Sequence, residues 1–87
     1  MARLLSVKSV ETEDEYIHVR FRDPDEFEEI RTPEWASNAA QDVSAGSRVR
    51  MGRRDGDWVV QSVLIKKSVG TSKAREQSER ILEKLET

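Results

Sequence analysis

The dipeptide Asp55-Gly56, set between two runs rich in apolar residues, constrains the fold of this chain more than any other feature. Asp-Gly is a strong signal for a two-residue β-hairpin loop, because a type I′ turn needs positive φ at both central positions. If these two residues form the loop, the register of the flanking strands follows. It places Arg54 opposite Asp57, Arg53 opposite Trp58, Met51 opposite Val60 and Val49 opposite Ser62.

The second strand of this hairpin is apolar on both of its predicted faces. Successive side chains point to opposite faces of a strand, so each face holds every second residue. One face holds Val49, Met51, Arg53, Trp58, Val60 and Leu64, and the other holds Arg48, Arg50, Val59, Gln61, Val63 and Ile65. A strand that is apolar on both faces is usually central and covered on both sides. We therefore expect a helix to lie over the second face.

A helix that could cover this face is predicted at the C terminus. Gly70 ends the hairpin strand, and Thr71 or Ser72 can cap a helix that begins there. Its narrow stripe consists of Ala74, Ser78, Ile81, Leu82 and Leu85. Leaving the three large members of the stripe in water would forgo about 1.5–3 kcal/mol for each side chain. We expect the stripe to dock either on the second face of the hairpin sheet or on the same helix of another copy.

The N-terminal residues predict a second hairpin. Residues 4–10 are interpreted as a strand and residues 11–15 as a polar connector. Residues 16–22 alternate strictly between apolar and polar, which is typical of a half-buried strand. The inward side holds Ile17, Val19 and Phe21, and the outward side holds Tyr16, His18, Arg20 and Arg22.

Residues 23–46 predict turns and one short helix. Residues 23–25 suit a turn, because Pro presets φ and Asp bonds the local backbone; residues 26–31 fit either a short strand or irregular structure. Thr32 is an N-cap candidate and Pro33 fits the first helical position, so we expect a helix over about 33–42. The residues at helical spacing are Trp35, Ala36, Ala39, Ala40 and Val43, with Trp35 predicted to anchor the helix in the core.

These elements predict an α+β fold: a small antiparallel β-barrel or a strongly bent sheet of four to five strands, with a short middle helix and a C-terminal helix. The length of 87 residues suits one domain, with residues 1–70 as a barrel-like unit and 71–87 as the C-terminal helix. Charged residues make up 37% of the chain, against about 25% in a typical domain. Large apolar residues are therefore scarce and should be buried. The expected core is Ile17, Val19, Phe21, Val49, Met51, Trp58, Val60 and Leu64.

The sequence offers little material for catalysis or metal binding. The chain has no Cys and a single His, His18, so a thiolate nucleophile and a multi-His metal site are excluded. No GxSxG, GxxxxGK[ST] or GxGxxG motif occurs, and the acidic run at 23–29 lacks EF-hand spacing. We therefore predict no enzyme activity, no catalytic residue, no metal and no cofactor. No leader and no apolar run of about 20 residues occur, so we expect a cytoplasmic protein that does not enter a membrane.

Charge is segregated along the chain, although the net charge is only −2. Residues 23–46 hold seven acids and one Arg, whereas residues 47–70 hold six bases and two acids. A basic hairpin with aromatic neighbours could contact the phosphates and bases of a single-stranded nucleic acid. The same arginines could instead pair with Asp55, Asp57 or the acids of 23–34. The candidate ligand-binding residues are Arg48, Arg50, Arg53, Arg54, Trp58, Lys66 and Lys67 on the hairpin, with Tyr16, His18, Arg20 and Arg22 on the N-terminal strand.

The function predicted from these features is that of a non-catalytic binding or adaptor module. A protein-interaction role is preferred, with a protein partner or with self-association through the C-terminal helix, and single-stranded nucleic-acid binding is the alternative. Trp58 is interpreted as a core residue that closes the barrel. Its alternative is a rim position, where Arg53 could lie on the indole face as a cation–π contact.

Two segments resemble known families. The stretch "GSRVRMGRRDGDWVVQSV" is similar to the strand–turn–strand pattern of SH3-like small barrels, through Gly46, Val49, Met51, Gly52 and Gly56. The stretches "FRDPDEFEEIRTPEWA" and "GDWVVQSVLIKK" resemble a small uncharacterised family of halophilic archaea. That second resemblance implies a host with a high-salt cytoplasm, where surface ion pairs and phosphate contacts are weakened by screening. It implies no particular activity.

Overall fold

The computed structural model describes residues 6–86 and shows an α+β fold of five antiparallel strands and two helices. The strands are β1 (Ser9–Glu13), β2 (Tyr16–Arg20), β3 (Glu29–Arg31), β4 (Arg48–Arg54) and β5 (Asp57–Lys66), and the helices are α1 (Glu34–Gln41) and α2 (Thr71–Glu86). The strands form one sheet in the order β1-β2-β5-β4-β3. Within residues 6–86, β1 and β3 are the two edges and do not pair with each other, so the sheet is not closed into a barrel.

The N-terminal hairpin forms, but its first strand lies later in the chain than predicted. β1 covers Ser9–Glu13 rather than residues 4–10, so most of the predicted connector is strand; residues 4 and 5 lie outside the described part. The acidic residues tolerate this edge position because Glu11 and Glu13 each pair with Arg20 of β2 at 3.1 Å. β2 confirms the predicted alternation, since Ile17, Val19 and the following Phe21 are buried.

The central hairpin turns at Asp55-Gly56, as predicted. Both residues have positive φ, 55° and 83°. The pairs Arg54–Asp57, Arg53–Trp58 and Met51–Val60 are also confirmed. Beyond Met51 the register shifts: Arg50 pairs with Ser62, and Val49 pairs with Val63 instead of the predicted Ser62. Gln61 is therefore the extra residue of a β-bulge.

Gln61 is held in this bulge by the chain that follows β2. Its carbonyl oxygen accepts hydrogen bonds from the backbone N–H groups of Phe21, at 3.0 Å, and Arg22, at 3.2 Å. Its side-chain Nε2 donates to the carbonyl oxygen of Arg22 at 2.8 Å. One extra residue reverses the faces of all residues beyond it. The predicted face assignment was wrong for this reason, because Val63 and Ile65 share a face with Met51 and Val60 while Leu64 points to the other face.

One face of the sheet carries the core, and both helices cover it. Helix α2 packs on β5 and β2, and α1 packs on β4. The C-terminal stripe docks on the sheet, as one of the two predicted arrangements had it, since Ile81 and Leu82 are buried and Leu85 packs at the margin. The prediction that a helix covers the second face was wrong: within residues 6–86 no helix lies over the side with Arg48 and Arg50, and both helices lie on the side that Val63 and Ile65 share with Met51 and Val60. We call this side the helix-covered face. The opposite side is the open face, which carries Tyr16, His18, Arg20, Arg48, Arg50, Ser62, Leu64 and Lys66.

Neither tryptophan lies in the core, contrary to prediction. Trp35 is 60% exposed and Trp58 is 39% exposed. The buried side of α1 consists of the small residues Ala36, Ser37 and Ala40, which hold the helix so close to β4 that Ser37 Oγ accepts a hydrogen bond from the Val49 N–H at 3.3 Å. A large indole has no room in that contact. The other seven predicted core residues are buried as expected.

The start of α1 also differs from prediction. The N-cap is Pro33, which has no side-chain capping bond, and Thr32 lies before it as an exposed residue. Proline fixes φ near −65° and lacks an N–H, so it fits at the boundary between β3 and the helix. Trp35 therefore stands in the first turn of α1, close to the end of β3.

Candidate binding surfaces

The basic residues of the hairpin do not form one continuous surface. Arg48, Arg50, Arg54 and Lys66 belong to the open face, whereas Arg53 shares the opposite face with its partner Trp58. Lys67 follows β5 in a short 3-10 turn, Lys67–Val69. The hairpin patch predicted from the sequence is thus divided between the two sides of the sheet.

Two of the arginines are neutralised by the acidic segment. Arg54 pairs with Glu26 at 3.0 Å and Arg53 pairs with Glu28 at 3.5 Å. Both acids belong to residues 23–34. Of the two outcomes considered from the sequence, internal pairing is therefore the one that Arg53 and Arg54 show. Exposed pairs of this kind contribute little to stability, but they occupy the guanidinium groups.

The acidic segment reaches Arg54 because of Gly52 and Phe27. A β-carbon at Gly52 would collide with the Phe27 ring, so only glycine lets this ring lie directly on β4. The Arg54 guanidinium carbon then stands 5.9 Å from the ring centroid of Phe27, as a cation–π contact. A capping box at Asp23 and Glu26 shapes the preceding turn. The turn end of the open face is therefore covered by Phe27, and its Arg54 is paired.

The rest of the open face keeps unpaired cations. Within residues 6–86, neither Arg48, Arg50 nor Lys66 makes an ion pair, and all three are exposed. The register aligns three rows across β2, β5 and β4. They are Tyr16 with Lys66, then His18 with Leu64 and Arg48, then Arg20 with Ser62 and Arg50.

Two of the predicted arginines have structural partners instead. Arg20 is held between Glu11 and Glu13 of the edge strand. Arg22 lies beyond the end of β2, and its Nη1 donates to the carbonyl oxygen of Val60 at 2.6 Å. Both side chains therefore help to join neighbouring strands, and neither presents an unengaged guanidinium to a ligand.

His18 is a neutral aromatic group on this surface. Burial lowers the pKa of His18 below its ordinary value of 6.5, the positive charges of Arg20 and Arg50 lower it further, and Glu13 and Glu11 act in the opposite direction. Its Nδ1 is buried and has no hydrogen-bond partner among the described residues. Above its lowered pKa the ring is uncharged, and it lies beside the exposed Arg50 and the half-buried Arg20.

Lys66 extends the cationic region towards the start of β4. Its side chain lies across Gly46, where a β-carbon would collide with Cε of Lys66; Gly46 also has a φ of 75°, which glycine adopts readily. Beside it, an open cavity of about 490 Å³ is lined by Glu15, Tyr16, Lys66, Lys67 and Ser68. The two lysines and the tyrosine thus share one depression at the edge of the open face.

The second candidate surface is a groove on the helix-covered side, between the two tryptophans. It measures about 240 Å³ and is lined by Arg31, Pro33, Trp35, Met51 and Trp58; we call it the tryptophan groove. The Arg31 guanidinium carbon lies 5.9 Å from the Trp58 ring centroid. The alternative interpretation of Trp58, a rim position with an arginine on its face, is therefore correct, but the arginine is Arg31 and not Arg53.

Arg31, Pro33 and Trp35 were not predicted as site residues. Their sequence signal is weak: Trp35 is adjacent to the alanine stripe of α1, and one step along a helix turns a side chain by about 100° away from that stripe. Arg31 meets Trp58 only because β3 pairs with β4 and β4 with β5. Such a cluster depends on tertiary structure.

Other kinds of site find no support in residues 6–86. No group of three or more His, Asp or Glu side chains there could hold a metal ion, and no helix in that range is long and apolar enough to cross a membrane. No protein-family model matches this chain, and neither a curated protein nor a solved structure matches it significantly. The resemblance to a halophilic family stays a prediction.

Proposed function

We propose that this protein is an interaction module that binds a protein partner through the tryptophan groove. The observation that carries the proposal is the exposure of both tryptophans of the chain on the wall of one groove. In a chain with only 36% hydrophobic residues, these are its two largest apolar side chains, and both are left out of the core. Exposed aromatic side chains that lie together mark interaction sites in soluble proteins.

The composition of the groove resembles the energetic centre of protein interfaces. Trp and Arg are among the residues whose truncation most weakens protein complexes. Arg31 lies over the Trp58 ring, and the buried Met51, with Pro33 and Trp35, completes the lining. The two indole rings are rigid, so they lose little conformational freedom when a partner binds.

The size of the groove favours a protein partner over a small molecule. Pockets for small ligands usually measure about 300–1,000 Å³ and enclose most of the ligand. At about 240 Å³, the tryptophan groove has room for one or two apolar side chains of a larger partner. The partner would complete the burial of the two indoles, while the polar surroundings form the rim.

The proposal is tested by affinity capture from a native host extract, treated with nuclease and kept at the host's own salt. Three baits are compared: the unmodified chain, Trp35→Ala with Trp58→Ala, and Arg48→Ala with Arg50→Ala as the control on the open face. We expect one protein to be captured by the first and third baits and lost with the second. Circular dichroism must show that all baits are folded.

Direct binding of the captured protein is then measured by tryptophan fluorescence. Because both tryptophans of the chain line the groove, a partner there should change their emission. Capture of the protein by the bait that lacks both indoles would contradict the proposal. So would a protein that is captured only from extract left untreated with nuclease.

A further inference from the structure

We propose that the open face is a binding surface for single-stranded nucleic acid, with Arg48, Arg50 and Lys66 contacting phosphates and Tyr16 and His18 stacking on bases. This second activity goes beyond the protein partner of the tryptophan groove. It uses the opposite side of the sheet and shares no residue with the groove.

Charge is the first argument. Arg48 and Arg50 occupy alternate positions of β4, so their side chains leave the same face about 7 Å apart. Lys66 lies across Gly46, two residues before Arg48, and brings a third cation to the same strand. Exposed cations without ion-pair partners are suited to a polyanion, because binding releases counterions and breaks no internal pair.

The acids near these cations are already engaged or lie at the margin. Glu11 and Glu13 are held by Arg20, and Glu26 is held by Arg54 at the turn end of the sheet. Glu15 lines the cavity beside Lys66 at the other end. The positive charges of Arg48 and Arg50 thus lie in the central rows of the open face, away from these acids at the two ends.

Aromatic stacking is the second argument. Tyr16 and His18 alternate on β2, two strand spacings or about 10 Å from the arginines of β4. Between them, Leu64 of β5 is only 7% exposed and forms an apolar floor. Bases stack on aromatic rings regardless of sequence, and a neutral imidazole offers such a ring without the cost of desolvating a charge.

This arrangement fits a single strand better than a duplex. In a duplex the faces of the bases are stacked on one another and cannot reach side chains on a flat sheet. A single strand can place its bases on β2 while its phosphates follow β4. Contacts to phosphates carry no sequence information, so little sequence preference is expected.

The test measures fluorescence anisotropy of a labelled ten-nucleotide oligo(U) and oligo(dT), titrated with protein from low to high salt. We expect binding that weakens with salt. Arg48→Ala with Arg50→Ala should lower the slope of log affinity against log salt by about 1.4, since each phosphate contact on a single strand adds about 0.7. The matched control is Arg75→Ala with Arg80→Ala, which removes the same charge from exposed positions of α2 and should leave the slope unchanged.

Stacking is tested separately, at constant charge. Tyr16→Leu should weaken binding about tenfold, and a duplex of the same length should bind more weakly than either single strand. Trp35→Ala should have no effect, which separates this surface from the tryptophan groove. Four results would each overturn the proposal. Two concern charge: no binding at low salt by folded protein, or an equal loss of affinity in the two double-arginine variants. Two concern stacking: a duplex that binds as well as a single strand, or an unchanged affinity of Tyr16→Leu.

Discussion

At the scale of single residues, His18 makes the stability of the fold depend on pH. Its pKa is lowered in the folded protein, chiefly by burial, so the folded state binds fewer protons than the unfolded state between that lowered pKa and about 6.5. Stability from His18 is therefore fully present above about pH 6.5 and is lost as the pH falls towards the folded pKa. His18 is the only histidine of the chain, which makes its effect separable from that of the acids.

We expect the free energy of unfolding to fall more steeply between pH 7.5 and 5 for the unmodified chain than for His18→Gln. Urea denaturation at each pH gives the two curves. The carboxylates contribute to both proteins alike, so the difference isolates the imidazole. Parallel curves for the two proteins would show that His18 titrates normally in the folded state.

At the scale of elements, the bulge at Gln61 puts Val63 and Ile65 of β5 on the same face of the sheet as Val60. The residues on either side of it, Val60 and Ser62, face consecutive residues of β4, namely Met51 and Arg50. Deleting Gln61 would therefore restore a regular ladder and leave Val63 and Ile65 facing the helices. Deleting Val63 instead would move Leu64 inward and Ile65 outward.

We predict that deletion of Gln61 lowers the free energy of unfolding by roughly 1–3 kcal/mol, the cost of the hydrogen bonds lost by Phe21 and Arg22. Deletion of Val63, the matched control, should abolish cooperative unfolding. Urea denaturation of both variants, followed by circular dichroism, gives the comparison. If the two deletions were equally harmful, the face assignment of β5 would be wrong.

At the scale of the whole molecule, α2 supplies most of the cover for the strands in the middle of the sheet. It lies on β5 and β2, where Ile17, Val19, Val63 and Ile65 are fully buried. Removing residues 71–87 would return these side chains to water at about 25 cal/mol per Å² of apolar surface. A domain of 87 residues has little reserve against such a loss.

We expect the chain truncated after Gly70 to lose its cooperative thermal transition and to associate through the exposed face. Differential scanning calorimetry and light scattering report the two effects. The double variant Arg75→Ala with Arg80→Ala, which keeps the buried stripe of α2, serves as the control and should melt close to the unmodified chain. An unchanged melting temperature and an unchanged mass of the truncated chain would contradict the role of α2.

Local chemistry explains which parts of this fold could be predicted from sequence. The Asp55-Gly56 turn needs two positive φ angles, and the alternation of β2 needs only one buried face. The bulge could not be predicted, because Gln61 is held by backbone groups of Phe21 and Arg22 about forty residues earlier in the chain. Every error in the face assignment follows from that one long-range contact.

The candidate site was predictable in composition but not in arrangement. The sequence shows a basic hairpin beside an acidic segment. Which arginines are neutralised depends on where Phe27 packs, and it packs on Gly52. The position of Trp35 depends on the small residues that α1 turns towards β4. The contact of Phe27 leaves no signal in the local sequence, and the position of Trp35 leaves only the weak signal of the adjacent small residues.

The two unpaired edges of the sheet also bear on the solubility of the chain. Exposed edges invite strands from other molecules, and short or charged edge strands discourage such growth. β3 is three residues long and runs into Thr32 and Pro33, and proline cannot donate to a ladder. β1 carries Glu11 and Glu13, so a second β1 laid against it would bring like charges together. The protein can thus expose a partly apolar sheet face with aromatic residues and still resist edge-to-edge aggregation at high concentration.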